Sequence, residues 1–585
     1  MTDYTINNIY QGGYSSFKPS YGDVFTGYHV AAGNFALTTD PRNANIIQEV
    51  STKLSTGLKH MEVEGIQQEI LDSIPKQHLK EANRIAKLVG AELTMHGPLV
   101  EASGISKEGF SESNREAAER QMFSAVEKAH ILNPNGNAPI TFHSSAILPG
   151  PEVEKVGDKK EVRGMLIINE NTGNINRISA KEKFFHGEEG KNIKKELDRM
   201  NEEQWQNSLS HLAFNTSKSA EVSQFGSLAL VSEAQKKQGK ELNPEQKNAI
   251  LNYNYGKAFL QDSYRELKSL YDMAYVNVGE EDKKKLEEFS KQTAQKIDEI
   301  NKNKNSPETF LKMQQVLEQG LETFNNIRSV PEIYKPLDDF AMKKSTETFA
   351  NVAWNAYEKV KKKEWDNAPI ISIENPPAGS GFSTGEELKQ LVEGAREKFV
   401  EKAISEGVSK SEAKNQAEKL IGVTWDVGHI NMLRKQGFDE EEIIKQTEAV
   451  APFVKHIHLS DNFGLEHTEL PMGMGNVPME EIMKKLGKQG YDAKKVIEAA
   501  SWWQHFKTPP VTETFQAFGS PVYTGQGPYW TQSLGFQQGY SSGYGMMLPQ
   551  INYQTFGAGF SQLPSELGGQ QAGAQGGRMS GRPME

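Results

Sequence analysis

Not one cysteine occurs in the 585 residues of this chain. That excludes disulfides, a thiolate zinc site and a cysteine nucleophile, and leaves the redox compartment unread. No apolar run reaches the ~18 residues needed to span a bilayer, so no transmembrane helix is expected. The opening segment, MTDYTINNIYQGGYSSF, has neither a basic n-region nor an apolar h-region. No secretory signal is expected there, and a cytoplasmic protein is the reading. Basic charge is also short: 66 Lys+Arg stand against 77 Asp+Glu, a net charge of -11. Such a balance does not steer a protein to nucleic acid in general, although local cations can invert the field of one face. What is abundant is length, more than one ordinary core can use, so one large domain with additions is expected.

The first and last parts of the chain lack periodicity. Residues 1–26 are rich in Gly, Tyr, Ser and Phe and read as an irregular arm; residues 507–585 are rich in Gly, Gln and aromatics, the last ~20 with too little to bury to fold. The aromatics of 508–565 predict some docking, with self-association of this segment as the alternative. Between 27 and 150, short apolar runs alternate with helical spacing. Strands are read near Gly27 (GYHVAAGNFAL), at 58–65, at 91–96 and at 138–143, with helices over 74–89 and 112–132.

The rhythm breaks at about 150. Residues 162–179 (VRGMLIINENTGNINRIS) read as a β-hairpin turning at Asn-Thr-Gly. The stretch from about 190 to 365 reads as several long, charge-rich helices, and 151–365 is taken as one insertion. A charge-rich helical run is normally a solvated face, with a partner-binding arm or lid as the other use. Alternation resumes over 366–506: strands at 368–375, 421–426, 453–460 and 494–500, helices at 384–418, 439–450 and 478–488. Four strands before the insertion and four after it make eight. The expected fold is α/β: a (β/α)8 TIM barrel with a large, mainly helical insertion after strand 4 and irregular terminal extensions.

Residues with metal-binding side chains collect at the strand ends. His96 (TMHGP), His143 (TFHSS), Glu374 (SIENPP), Asp426 and His429 (WDVGH), His458 (HIHLSD) and Glu498 (VIEAA) each end an apolar run or follow one closely; His467 and Glu469 lie in a loop, HTELPMGMGN. Ligands supplied one or two at a time from successive strands are how such a barrel builds a site. A carboxylate pointing into a barrel mouth is costly without a cation or hydrogen bonds. His, Asp and Glu without Cys favour Zn2+ or Mn2+. His456 shares a strand face with His458 but lies deeper, as a core or supporting residue.

Taken together these motifs resemble the xylose isomerase-like TIM barrel superfamily, and within it the endonuclease IV branch. IEN-x-x-x-G, D-x-x-H, HL-x-D and G-x-GN match as they stand, and the resemblance covers about 27–150 and 366–505. It implies up to three zinc ions. His96 and His143 would hold one, with Glu374 bridging to a second; Asp426, His458 and Glu498 would complete the second. His429 would hold the third with His467 and Glu469, where the family's usual Asp-x-His is replaced by His-x-Glu.

Three functions stand open on this scaffold. The first is a metal-dependent phosphodiesterase acting at abasic sites in DNA, with Glu374, Glu498 and His429 at the chemistry. The second is a sugar or sugar-phosphate isomerase or epimerase with one Mn2+ or similar ion, in which Glu374 and Glu498 move protons. The third is an interaction or assembly protein, associating through the helical insertion and tails on an inherited barrel.

Overall fold

The computed structural model describes residues 34–54, 58–135, 137–150, 152–156, 159–170, 172–179, 193–223, 226–302, 307–328, 330–499 and 510–518. The expected arm, 1–26, and most of the C-terminal tail lie outside them. Within them the chain divides into two compact units, residues 164–337 and the remainder.

The larger unit is a closed barrel of eight parallel strands: β1 (Phe35–Thr38), β2 (His60–Glu64), β3 (Glu92–His96), β4 (Pro139–His143), β5 (Ile370–Glu374), β6 (Ile421–Asp426), β7 (Val454–Leu459) and β8 (Lys494–Ile497). Each pairs with its sequence neighbours, and β8 closes on β1. This is the expected (β/α)8 TIM barrel. The described part of the first expected strand is Phe35–Thr38; its expected start near Gly27 falls on residues outside the described set. The expected helix over 384–418 is two helices, Gly385–Ser405 and Lys410–Leu420. Gly407 adopts φ 82 between them and Ser409 caps the second by accepting from the Glu412 N–H, so the break is written in a left-handed glycine and a cap.

Strand alternation sorts the residues into two layers. Met61, Val63, Leu93, Met95, Ile140, Phe142, Ile371, Ile373, Val423, Trp425 and Ile457 are fully buried or nearly so, in the apolar phase of their strands. The other phase is polar: Glu62 and Glu64, Thr94 and His96, Thr141 and His143, Ser372 and Glu374, Thr424 and Asp426, His456 and His458. These residues meet across strands. Thr424 donates to Ser372 Oγ at 2.7 Å, Thr141 and Thr424 hydroxyls lie 3.0 Å apart, and Thr94 donates to Glu62 Oε2 at 3.1 Å. The barrel interior is therefore hydrogen-bonded rather than filled with branched aliphatics, the usual solution for this fold. Such an interior must satisfy its polar groups among themselves, which makes it specific as well as costly.

Helix Leu337–Lys361 lies inside the expected 151–365 insertion, but it groups with the barrel unit, Leu337 excepted. Its Phe349, Val352, Ala353 and Ala356 are fully buried, and Thr348 donates to Ala102 O at 2.8 Å. It is the helix that leads into β5. Its charged residues hid it among its helical neighbours. The smaller unit carries the expected hairpin, Gly164–Ile168 against Ile175–Ser179, with Tyr334–Pro336 on the other edge. Its helices, Ile193–Ser223, Gly226–Lys237, Pro244–Asn277, Glu280–Lys302 and Pro307–Asn325, bury a core that includes Leu212, Leu260, Leu286, Val316 and Phe324. Gly320 marks a close helix crossing, because a Cβ there would stand 2.3 Å from Leu267 Cδ1. Of the C-terminal segment, helix Val511–Ala517 is described; Phe515 and Phe518 pack on Phe35 at ring separations of 5.0 and 5.2 Å. Among the described residues no helix is long and apolar enough to cross a membrane.

Candidate metal centre

Parallel register brings the strand-end residues together. His143 is the partner of Glu374, Asp426 of His458, and Glu64 of His96. Glu374 sits at the middle of the cluster, completely buried. Its Oε2 lies 3.1 Å from His96 Nε2 and 3.3 Å from His143 Nε2; its Oε1 lies 2.9 Å from His458 Nδ1. Glu498, one residue past the end of β8 rather than within it, places Oε1 3.2 Å from the same His458 nitrogen. Asp426 caps the short helix Val427–Asn431 by accepting from the His429 N–H at 2.7 Å, leaving its buried Oδ2 without a hydrogen-bond partner. His429 Nδ1 stands 3.8 Å from that Oδ2 and from Glu374 Oε1.

The loop after β7 supplies the remaining pair. His467 Nε2 lies 2.8 Å from His429 Nε2 and 3.7 Å from Glu469 Oε1. Both loop residues are partly exposed, and Glu469 holds a left-handed φ of 45. Asp461, completely buried, shapes this loop by accepting N–H groups from Asn462, Gly473 and Val477 at 2.9–3.1 Å. The GMGN sequence follows from that geometry. Gly473 takes φ 92, and a Cβ on Gly475 would stand 2.4 Å from Asn462 O and 2.3 Å from Asp461 Oδ1. Asn476 accepts from Asn431 Nδ2 at 2.8 Å. All nine residues expected from the sequence thus stand in one constellation. Outside that expectation, Glu62 and Glu64 join it from β2. Their signal was legible in HMEVE, which puts His60, Glu62 and Glu64 on one strand face.

Tautomers and protons test whether this set fits a cation. His96 Nδ1 lies 2.8 Å from Gly97 O and His429 Nδ1 2.8 Å from Asn375 O. A carbonyl only accepts, so each Nδ1 carries a proton and each Nε2, a lone pair in the neutral ring, faces the cluster. Two such nitrogens, or a nitrogen and a carboxylate oxygen, repel at these distances without a positive charge between them. For His96 burial opposes the charge, but the hydrogen bond to Glu374 and the charges of Glu64 and Glu374 raise its pKa to about 10. His458 is raised likewise against its burial, by Glu374, Glu498 and Glu62. Conversely, burial pushes His143 down to about 4 and His429 to about 3, so both are neutral and ready to donate. Burial and the charges of Glu498 and Glu374 raise the Asp426 carboxyl. Glu374 is held below the carboxylate range, its burial outweighed by the charge of His458 and the hydrogen bonds of His458 and His96. Protons on His96 and His458 do here what a divalent ion would do better, and the orphaned Asp426 oxygen marks a further vacant acceptor. The donors fit a divalent cation. Donor atoms of His96, Glu374, His458 and Glu498, and separately of Glu374, Asp426 and His429, lie within 4.8 Å of one another.

One family match agrees with the barrel. Residues 406–514, which span β6 to β8 and the loop pair, match the family described as xylose isomerase-like TIM barrel. An uncharacterized protein of Methanocaldococcus jannaschii is 31% identical over 85 residues, 14% of this chain; the chain spans 28% of that relative's length. Among solved structures, a D-tagatose 3-epimerase-like protein aligns at 12% identity with a TM-score of 0.31, covering 83% of this chain and 96% of the other. D-psicose 3-epimerase from Clostridium cellulolyticum H10, solved with D-tagatose, aligns at 9% identity with a TM-score of 0.35 and the same coverage.

Proposed function

Starting from the xylose isomerase-like TIM barrel that this chain carries, we propose that it is a metal-dependent phosphodiesterase of the endonuclease IV type, acting at abasic sites in DNA. One observation carries the reading: the two oxygens of Glu374 face different histidines, Oε2 toward His96 and His143 and Oε1 toward His458. A carboxylate divided in this way suits a bridge between two ions. A one-metal isomerase needs neither His96 nor His143. Divalent ions at such a centre supply Lewis acidity toward phosphorus and a nucleophile near neutral pH. Glu374 fixes the spacing of the two donor sets. Glu498, kept ionised down to about pH 2 because His458 outweighs its burial, stays a donor throughout the working range. His429, fixed by Asn375 O through Nδ1, presents Nε2 to the mouth beside His467 and Glu469, where the third donor set would lie.

A sugar isomerase or epimerase is the second reading, and it too rests on a specific feature. The loop set is the loosest of the three: His467 and Glu469 are 3.7 Å apart and partly exposed, with His-x-Glu in place of Asp-x-His. Glu374, Asp426, His458 and Glu498 suffice for one ion without it. Metal count and substrate separate the two. Purified full-length protein loaded with Zn2+ is incubated with a duplex carrying one abasic site, and bound metal per chain is measured in parallel. Nicking with two or three ions supports the phosphodiesterase. One ion, no nicking and turnover of a ketose or aldose with Mn2+ would replace it by the isomerase.

A further inference from the structure

The sequence reading gives no role to Glu62, yet it is completely buried and stands directly behind the metal centre. Its Oε2 is fixed from two sides, by His456 Nε2 at 3.0 Å and by the Thr94 hydroxyl at 3.1 Å. Its Oε1 lies 3.0 Å from His458 Nε2. The ring N–H of His458 is not in line with that oxygen, so the contact is an ion pair rather than an aligned hydrogen bond. The other ring nitrogen of His458, Nδ1, faces Glu374 and Glu498. His456, Glu62 and His458 thus form a chain that runs from the barrel interior to the mouth, and its outermost nitrogen points at the donors.

We infer that Glu62 is a positioning carboxylate of the centre: held by His456 and Thr94, it keeps the proton of His458 on Nε2, so that Nδ1 is free to bind an ion. The inference rests on the metal-centre reading above. Its physical basis is general. A histidine ligand needs its second nitrogen occupied by an acceptor, which fixes ring orientation and tautomer and raises the basicity of the binding nitrogen. Among the described residues no other carboxylate pairs with His458 Nε2. An amide at position 62 breaks the chain in either orientation, because one of the two histidines then faces N–H where it now faces an acceptor.

The test compares full-length wild type, Glu62→Gln, His456→Gln and Thr94→Val. Zn2+ affinity is measured by competition with a chromophoric chelator, and the visible spectrum is taken after Co2+ loading. Glu62→Gln is expected to weaken binding about 10–100-fold, the usual cost of losing such a partner, and to shift the Co2+ bands as the ring turns. Thermal unfolding of the metal-free proteins shows whether the fold is intact, since a purely structural role would lower that midpoint and leave the Co2+ bands in place. Wild-type affinity and wild-type bands in Glu62→Gln would overturn the inference. Should that variant fail to fold, His456→Gln and Thr94→Val loosen Glu62 without removing it, and unchanged affinity in both would overturn it equally. A wild type that binds neither ion defeats the metal-centre reading itself, an outcome distinct from a wild type that binds and a Glu62→Gln that binds as well.

Discussion

Glu374→Gln is the most informative perturbation of the proposed centre. The substitution keeps volume and shape but turns one of the two oxygens into an N–H donor. Whichever way the amide settles, one donor set is lost: either His458 at 2.9 Å, or His96 and His143 at 3.1 and 3.3 Å. The net charge that holds cations between these histidines is lost as well. Hydrogen bonds to a charged group are worth about 1.5–3 kcal/mol each, so losing one or two such contacts removes about 1.5–6 kcal/mol. If that loss falls on the transition state, turnover drops by about one to four orders of magnitude. The fold should survive. Without the Glu374 carboxylate the largest support of the His96 proton is gone, which lowers that pKa and eases release of the buried charge. The assay is single-turnover nicking of an abasic duplex with saturating Zn2+, with metal per chain measured on the same samples. At least one ion fewer should be bound. A variant that nicks within threefold of wild type with the full metal count would refute the bridging argument.

Stability without metal should peak near pH 6.5. His96, raised to about 10, contributes stability that is complete below 6.5 and lost as pH rises to 10; His143 and His429, lowered to about 4 and about 3, cost stability as pH falls below 6.5, where only the unfolded chain takes up their protons. Chelator-treated protein unfolded in urea across pH 4–10 checks this, and a stability rising steadily to pH 10 would sink it. Binding of Zn2+ at pH 7 should release protons, chiefly from His96 and His458. Calorimetry in buffers of different ionisation enthalpy reads their number, and none released would contradict the assignment. Gly475→Ala forces a Cβ against the Asn462 carbonyl and Asp461, costing about 1–3 kcal/mol. The variant should lose the ion held through His467 while keeping those at Glu374, as should His467→Ala. Metal analysis distinguishes this from general unfolding, and a full count in both variants would exclude the loop as a donor set.

How much of this was legible in the sequence follows from what each residue depends on. Strand ends announce themselves by local chemistry. Asn-Pro-Pro stops β5 at Glu374, and Asp426 both ends β6 and caps the turn that follows it, so these positions were readable without tertiary information. Glu498 was read one residue too far into its strand, because Val-Ile-Glu offers no stop signal and the end of β8 is set by pairing with β7. The boundary at 365 missed helix Leu337–Lys361 for a similar reason: its buried face is set by contacts with residues such as Ala102 and Phe399, hundreds or tens of positions away.

Glu62 was missed for a subtler reason. Strand ends, where a barrel opens, are where sequence points to function, and Glu62 is two residues short of one. What gives it away is the composition of the whole interior. Ser372, Thr424, Thr141, Thr94, His456 and Glu62 fill the layer below the mouth with hydroxyls, imidazole and a carboxylate, where an inert barrel would place Val, Ile and Leu. Each of these polar groups costs stability unless its partner is in place, and each has one. An interior that gives up aliphatic packing for a directional network is one whose function depends on the aim of the residues above it. Period-two polarity inside parallel strands, read together with polar strand ends, is therefore the sequence sign of a supported site, and it was present here in HMEVE, TFH, ISIE, TWD and HIH.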